Sequence, residues 1–245
     1  MRVSRLFVDM PLAKGERVQL GDDRAHYLKH VLRCTEGQPL VLFNGQGGEF
    51  SALVRQVGKR VVEVELTDWH DTSRESALHT TIGLAVTKRD AMDLAIQKCT
   101  ELGATTIQPL ITRFNTVPAK ALPKRREHWQ QVACSACEQC ERNLPPAVGE
   151  LMTLDAWLAR VEADLKIVLH PGGASALPET VAGSPASVAV LVGPEGGLAE
   201  AEVSDAIGQG FVQLAMGPRI LRAETAPLAI LTLLQSRWGD LGTLP

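Results

Sequence analysis

The chain has no apolar run long enough to span a bilayer. Its first residues, Met1-Arg2-Val3-Ser4-Arg5, become charged too soon for a secretion signal. A cytoplasmic protein with no membrane partner is expected. Neither sign of charge dominates: 25 Lys and Arg stand against 28 Asp and Glu, a formal net charge of -3. A nucleic-acid partner must therefore be met by a local patch and not by the whole surface. Aromatic residues are scarce, at 4%, and Tyr27 is the single tyrosine. The five cysteines are an odd number, which argues against a disulfide framework. Cys134, Cys137 and Cys140 have the spacing that opens an iron–sulfur run, but the next cysteine and the following proline are missing. The same segment carries Trp129, Val132, Ala133, Ala136, Cys137 and Cys140 as the apolar stripe of a helix. Buried reduced thiols are the expectation, with no metal. No His-Glu-x-x-His string occurs, and no nucleophile stands beside a base.

What is present is enough chain for two domains and a substantial core: 245 residues, 45% hydrophobic and 22% charged. Residues 1–72 read as short strands and turns. Strand candidates are Arg17–Leu20, Leu40–Phe43, Phe50–Val54 and Val61–Leu66, with Asn44-Gly45 and Gly47-Gly48 as turns. One short helix is expected from Asp22 or Asp23 to Leu32. This composes a small β-barrel domain. Asp68 to Ser76 is polar and without period, and is expected to be a linker. Over residues 73–245 strands and helices alternate. Strands are expected at Thr80–Val86, Thr106–Leu110, Leu165–Leu169, Val188–Val192 and Phe211–Leu214. Pro109 lacks a donor and suggests an edge or a strand end. Helices are expected after Lys88 to Gly103, over about 124–141, over about 199–208, and from Glu224 to Trp238, with residues 178–187 loop-like. The pattern is an α/β domain with a mostly parallel sheet, and ligands in such sheets sit beyond the carboxyl ends of strands.

Two glycine-rich turns fall at those ends. Gly193-Pro194-Glu195-Gly196-Gly197 follows Val192, and the stretch from Gly217 to Ala226 follows Met216. Main chain stripped of side chains approaches a ligand closely, and helix starts offer unpaired N–H groups. Neither turn has the spacing of a dinucleotide or phosphate loop. Glu195 would repel a phosphate and suits a cofactor bearing amine and hydroxyl donors. A structural turn capped by Gly196-Gly197 is the alternative. In the second turn, Arg219 and Arg222 flank Ile220-Leu221 just before a helix start at Glu224-Thr225. Two cations where the helix dipole is already positive call for an anionic partner or for Glu224; an arginine bridging Glu195 or Glu224 to close the turn is the alternative. His170 follows Leu169 at the same sheet edge. A separate basic cluster, Arg24, His26, Lys29, His30 and Arg33, has helical spacing for His26, Lys29, His30 and Arg33. That face suits a phosphate backbone, or else is simply solvated.

At this point the strings resemble those of the bacterial small-subunit ribosomal RNA methyltransferase E family, over almost the whole chain. The resemblance is carried by Arg5-Leu6-Phe7-Val8, His26 with Leu28 and Val31-Leu32-Arg33, and Phe43-Asn44-Gly45. It continues through Gln97 to Gly103, Ile107 with Pro109, and Glu138-Gln139 with Arg142. The most specific strings are Gly193–Gly197 and Gly217–Ala226. Tyr27, Cys140 and Ala215-Met216 depart from the usual family residues. The resemblance implies S-adenosylmethionine as cofactor and methylation of uridine N3 in 16S rRNA of the small ribosomal subunit. It implies a PUA-like RNA-binding barrel over 1–72 and a SPOUT-type α/β domain with a deep trefoil knot over 73–245. Without it an ordinary wound sheet would be expected, because knots are nearly absent from proteins. It further implies a homodimer through the knotted domain. Carried over by position, the cofactor residues are Leu169 and His170; Val192, Gly193, Glu195, Gly196 and Gly197; and Met216, Gly217, Ile220, Leu221, Arg222 and Thr225. Arg222, with Arg219 second, is the expected catalytic cation. Arg5, Arg24, His26, Lys29, His30 and Arg33 are the expected RNA contacts. Two other readings remain at this stage: a non-catalytic RNA-binding module, and a metal protein built on the three spaced cysteines.

Overall fold

The computed structural model describes residues 3–115, 125–174, 177 and 184–242. The chain divides into two compact units, residues 1–75 with 137–145, and residues 76–136 with 146–245.

In the first unit, strands β1 (Ser4–Phe7), β2 (Arg17–Gly21), β3 (Pro39–Phe43), β4 (Glu49–Val57) and β5 (Val61–His70) form a curled sheet in the order β1-β3-β4-β5-β2. Along β4 and β5 buried and half-buried residues alternate, so one face supplies Val54, Val62, Val64 and Leu66 to the core. The polar stretch after Leu66 is not all linker. Trp69 and His70 continue β5 and pair with Phe50 and Glu49. Backbone pairing across the hairpin, with shifts of register at Ser51/Ala52 and Val54/Gln56, outweighs the absence of apolar alternation there. The helix expected up to Leu32 is shorter: α1 (Asp22–His26) gives way to a π-helical turn at Tyr27–Val31. Arg33 then takes a left-handed φ of 50°, so the i, i+3, i+4 geometry does not extend to it.

The second unit contains a sheet of order β12-β10-β11-β6-β7-β8. Its strands are β6 (His79–Ala85), β7 (Thr106–Ile111), β8 (Ala147–Val148), β10 (Leu165–Ala174), β11 (Ser187–Val192) and β12 (Val212–Leu214), with β9 (Met152–Thr153) also pairing β7. All these pairs are parallel. β11 lies between β10 and β6, and Val188 to Val192 are buried throughout. A strand covered on both faces reads as an unbroken apolar run, which is why this one was legible. The helices are α2 (Arg89–Glu101), α3 (Arg125–Cys140), α4 (Leu154–Leu158), α5 (Glu200–Gly208) and α6 (Thr225–Trp238). Residue 124, expected to open α3, and residues 178–183, expected to be loop-like, lie outside the described residues.

Pro109 is neither at a strand end nor on a free edge. It pairs with Leu84 on one side. On the other side the neighbour is interrupted between β8 and β9, and the Gln108 amide Nε2 donates to the Pro109 carbonyl at 3.0 Å and to Glu150 O at 2.6 Å. The missing N–H therefore faces a gap in the ladder. α3 is continuous, with Trp129, Ala133, Ala136 and Cys137 buried as the stripe predicted. The Cys140 thiol and burial push the Cys137 thiol up from its ordinary value, and burial does the same to Cys99. Both are neutral packing groups.

Candidate functional site

The carboxyl ends of β10 and β11 open onto a cleft of about 980 Å³, inside the roughly 300–1,000 Å³ usual for small-molecule sites. Four segments line it: Lys88, Asp90, Ala91 and Leu94 at the start of α2; Leu169, His170 and Pro171 in β10; Val192 to Leu198; and Ile220 to Glu224 with Ala226. Both glycine-rich turns thus contribute to one concavity.

The first turn is tightly built. Gly197 N–H donates to Pro194 O at 2.9 Å, closing it. A Cβ on Gly193 would lie 3.0 Å from Leu198 Cγ, so that position is held small by packing. At Gly197 nothing lies within 4 Å of such a Cβ, but φ is +77°, which an L side chain rarely adopts. The start of α5 is anchored by Glu202, which accepts the Ala199 N–H at 2.8 Å and the Arg113 N–H at 2.7 Å. Glu195 is exposed, with Oε1 3.4 Å from the Lys88 N–H.

The second turn is open. Ile220 is 87% exposed. The Arg222 carbonyl accepts the N–H groups of Thr225 and Ala226 at 2.9 and 3.0 Å, which fixes its backbone at the first turn of α6. Its side chain is 85% exposed, with Nη1 3.8 Å from Glu224 Oε1. Such an exposed ion pair is weak, so the cation is available to a ligand.

Asp90, Glu195 and Glu224 give the cleft three carboxylates against the cations Lys88 and Arg222. That balance suits a ligand carrying positive charge and hydroxyl donors better than a polyphosphate. Leu94, Leu169, Val192, Leu198 and Leu221 supply apolar wall for a flat ring. The residues present therefore fit S-adenosylmethionine, whose sulfonium and ammonium are cationic and whose adenine is planar.

Of the expected cofactor residues, Leu169, His170, Val192, Gly193, Glu195, Gly196, Gly197, Ile220, Leu221 and Arg222 line the cleft. Met216, Gly217 and Thr225 do not; Met216 packs against the apolar core. Arg219 is exposed but outside the lining. Sequence reasoning missed Asp90, Ala91 and Leu94 as lining residues. Their only advance signal was that α2 starts after a strand at the same sheet edge.

In the first unit the expected RNA face is redrawn. Arg5 is 8% exposed; its guanidinium pairs with Glu49 and donates to Asn143. Buried and engaged by these two groups, it is not presented to a phosphate as the sequence led one to expect. Arg24 pairs with Glu138 at 2.8 Å. Lys29 Nζ donates to the carbonyls of Gly58 and Lys59 at 2.9 and 2.8 Å. His26 and His30 are exposed, with ring centroids 4.4 Å apart, and Arg33 is exposed. The bonds from Lys29 bring the β4–β5 turn, with exposed Lys59 and Arg60, beside this group. The sequence signal for them was Gly58-Lys59-Arg60 between two strands.

The chain matches a family model described as an RNA methyltransferase domain over residues 74–235, and one described as an RNA methyltransferase PUA domain over residues 15–67. It is 32% identical to the ribosomal RNA small subunit methyltransferase E of Buchnera aphidicola, covering 98% of both chains. A methyltransferase of Legionella pneumophila solved with the cofactor SAM bound is 34% identical, with a TM-score of 0.93 over 98% of this chain and 100% of that one. A ribosomal RNA small subunit methyltransferase E from Neisseria gonorrhoeae, bound to S-adenosyl methionine, is also 34% identical, with a TM-score of 0.90 over 98% and 99%.

Proposed function

This chain belongs to the ribosomal RNA small subunit methyltransferase E family, and from that premise we propose that it methylates N3 of a specific uridine in 16S rRNA at the cleft of its second unit. It is an S-adenosylmethionine-dependent methyltransferase with a PUA-like N-terminal sheet and a SPOUT-type α/β domain. The observation that carries the site is the meeting of two glycine-rich turns beside exposed Arg222 in one cleft.

Bound there, S-adenosylmethionine supplies an electrophilic methyl group. The protein's own residues do the rest. Apolar groups from Leu169, Val192, Leu198 and Leu221 enclose the adenine, and the carboxylates of Glu195 and Asp90 meet cationic and hydroxyl groups. Uridine N3 carries a proton and has no lone pair to offer until that proton leaves. The charge that then develops spreads over the ring and its carbonyl oxygens, and the exposed Arg222 guanidinium stabilises it. Arginine stays protonated, so it is not the base; solvent or another group takes the proton. The target base must leave its stack to reach the cleft. Arg33, His26, His30, Lys59 and Arg60 of the first unit hold the RNA backbone. We assign the working form as a homodimer through the SPOUT domain, acting in the cytoplasm where small ribosomal subunits are made.

The test is methyl transfer from labelled S-adenosylmethionine to small ribosomal subunits, with the product nucleoside identified. Label in 3-methyluridine of 16S rRNA is expected. Cofactor binding with label elsewhere would overturn the base assignment, and absence of cofactor binding would reduce the protein to an RNA-binding module.

A further inference from the structure

His170 lines the cleft from an irregular part of β10. β10 leaves regular register after Leu169: both Leu169 and Ala174 pair with Leu214 of β12, so residues 170–173 form a bulge. Within it, His170 Nδ1 lies 3.2 Å from the Gly172 N–H and 2.7 Å from Gln213 Nε2. A backbone N–H can only donate. Nδ1 must therefore carry a lone pair, and the ring proton must sit on Nε2. The same reasoning orients Gln213. Its amide must present NH₂ to Nδ1, because its oxygen would meet a second lone pair.

We propose that Gln213 is a positioning residue which, with the Gly172 N–H, locks His170 as the neutral Nε2–H tautomer and makes it a fixed hydrogen-bond donor to an oxygen of the bound cofactor. The inference rests on reading the cleft as the S-adenosylmethionine site. It also removes His170 from the candidates for uridine proton acceptor: Nδ1 is engaged by two donors, and Nε2 already holds a proton. The acceptor is an oxygen of the ribose or of the carboxylate, the two parts of the cofactor that carry oxygen.

The test combines imidazole ¹⁵N NMR with calorimetry. The His170 signals are assigned among the six histidines with His170→Gln. In the wild type, Nδ1 is expected at the unprotonated and Nε2 at the protonated shift. Gln213→Glu sets a carboxylate against Nδ1, which requires the proton there, so in spectra recorded at a pH high enough to keep the ring neutral the two shifts should exchange. S-adenosylmethionine affinity should then fall about tenfold, the worth of one lost hydrogen bond at about 1.4 kcal/mol. Titration with 5′-methylthioadenosine, which keeps the ribose and lacks the carboxylate, separates the acceptors: a persisting penalty marks the ribose, and a vanished one the carboxylate. A wild-type spectrum with Nδ1 protonated overturns the lock, and that spectrum needs no variant to fold. Exchanged shifts with unchanged cofactor affinity overturn the donor role. Absence of cofactor binding by the wild type would instead overturn the reading of the cleft.

Discussion

In the first unit the side chains of Arg5 and Arg142 are 5% and 6% exposed and end on Glu49 and Glu75, whereas Arg222 in the second unit is 85% exposed and stands 3.8 Å from its nearest carboxylate. The residue type is the same and the surroundings are opposite. Arg142 donates through Nε and Nη2 to Glu75, and Glu75 also accepts the Leu144 N–H at 3.3 Å. These groups give up hydration, and the hydrogen bonds between them offset part of that cost. Arg222 has its backbone fixed by capping and its charge held only by a long, exposed pair with Glu224. A cation available to a nucleic acid is therefore identified by what its neighbours already use, and not by its presence in a basic string.

The comparison breaks most visibly if a buried arginine is removed. Arg142→Ala leaves Glu75 as a half-buried carboxylate without its main partner, and a loss of about 3–5 kcal/mol is expected by denaturant unfolding. A loss under about 1 kcal/mol would show that the pair is not structural. Next comes the backbone of the first turn. Gly197→Val forces a β-branched residue to a φ of +77° with no neighbouring atom in the way, a strain of about 1–2 kcal/mol. Calorimetry should record S-adenosylmethionine binding about tenfold weaker in a folded protein. Wild-type affinity would detach this turn from the cofactor.

Smaller effects sharpen the contrast between engaged and free charges. Arg33→Glu with Arg60→Glu should weaken RNA binding and lower the magnitude of the salt slope by about one for each phosphate no longer neutralised, with cofactor affinity unchanged. An unaltered salt series would remove these residues from the footprint. Asp164 is an engaged acid of the second unit. The N–H groups of Ser187 and Ala186 donate to its carboxylate at 2.9 and 2.8 Å and hold it below the usual carboxylate range. A depressed carboxylate stabilises above its unfolded value, about 3.9, and that contribution is lost as pH falls through the lower folded value. Asp164→Asn should therefore flatten the acid limb of the stability curve below about pH 4. An unchanged limb would mean the bonds do not persist in solution.

Much of the fold was legible because burial on one or two faces imprints a period or a run. β4, β5, β11 and the stripe of α3 declare themselves this way. The two-residue strands β8 and β9 carry no period, and α4 is a single short turn begun by Thr153, whose hydroxyl accepts the Ala156 N–H. The π-helical turn at Tyr27–Val31 preserves the helical composition while altering the face it presents. For the site, the glycines and the apolar runs before them were sufficient to locate two walls. The third wall, Lys88 to Leu94, depends on parallel pairing of β6 with β11. The fate of Arg5 depends on Asn143, 138 residues away. Sequence patterns report local period and backbone permission; they do not report which distant carboxylate has claimed a cation.

The most direct measurement is the single-turnover methyl-transfer rate of Arg222→Ala on small ribosomal subunits, at saturating cofactor and RNA, with thermal melting of the same preparation. A free cation that acts on charge developing at the base predicts a rate about 100- to 1,000-fold lower and an unchanged melting temperature. A folded Arg222→Ala protein that transfers methyl at the wild-type rate would contradict the account and return Arg222 to the structural arginines.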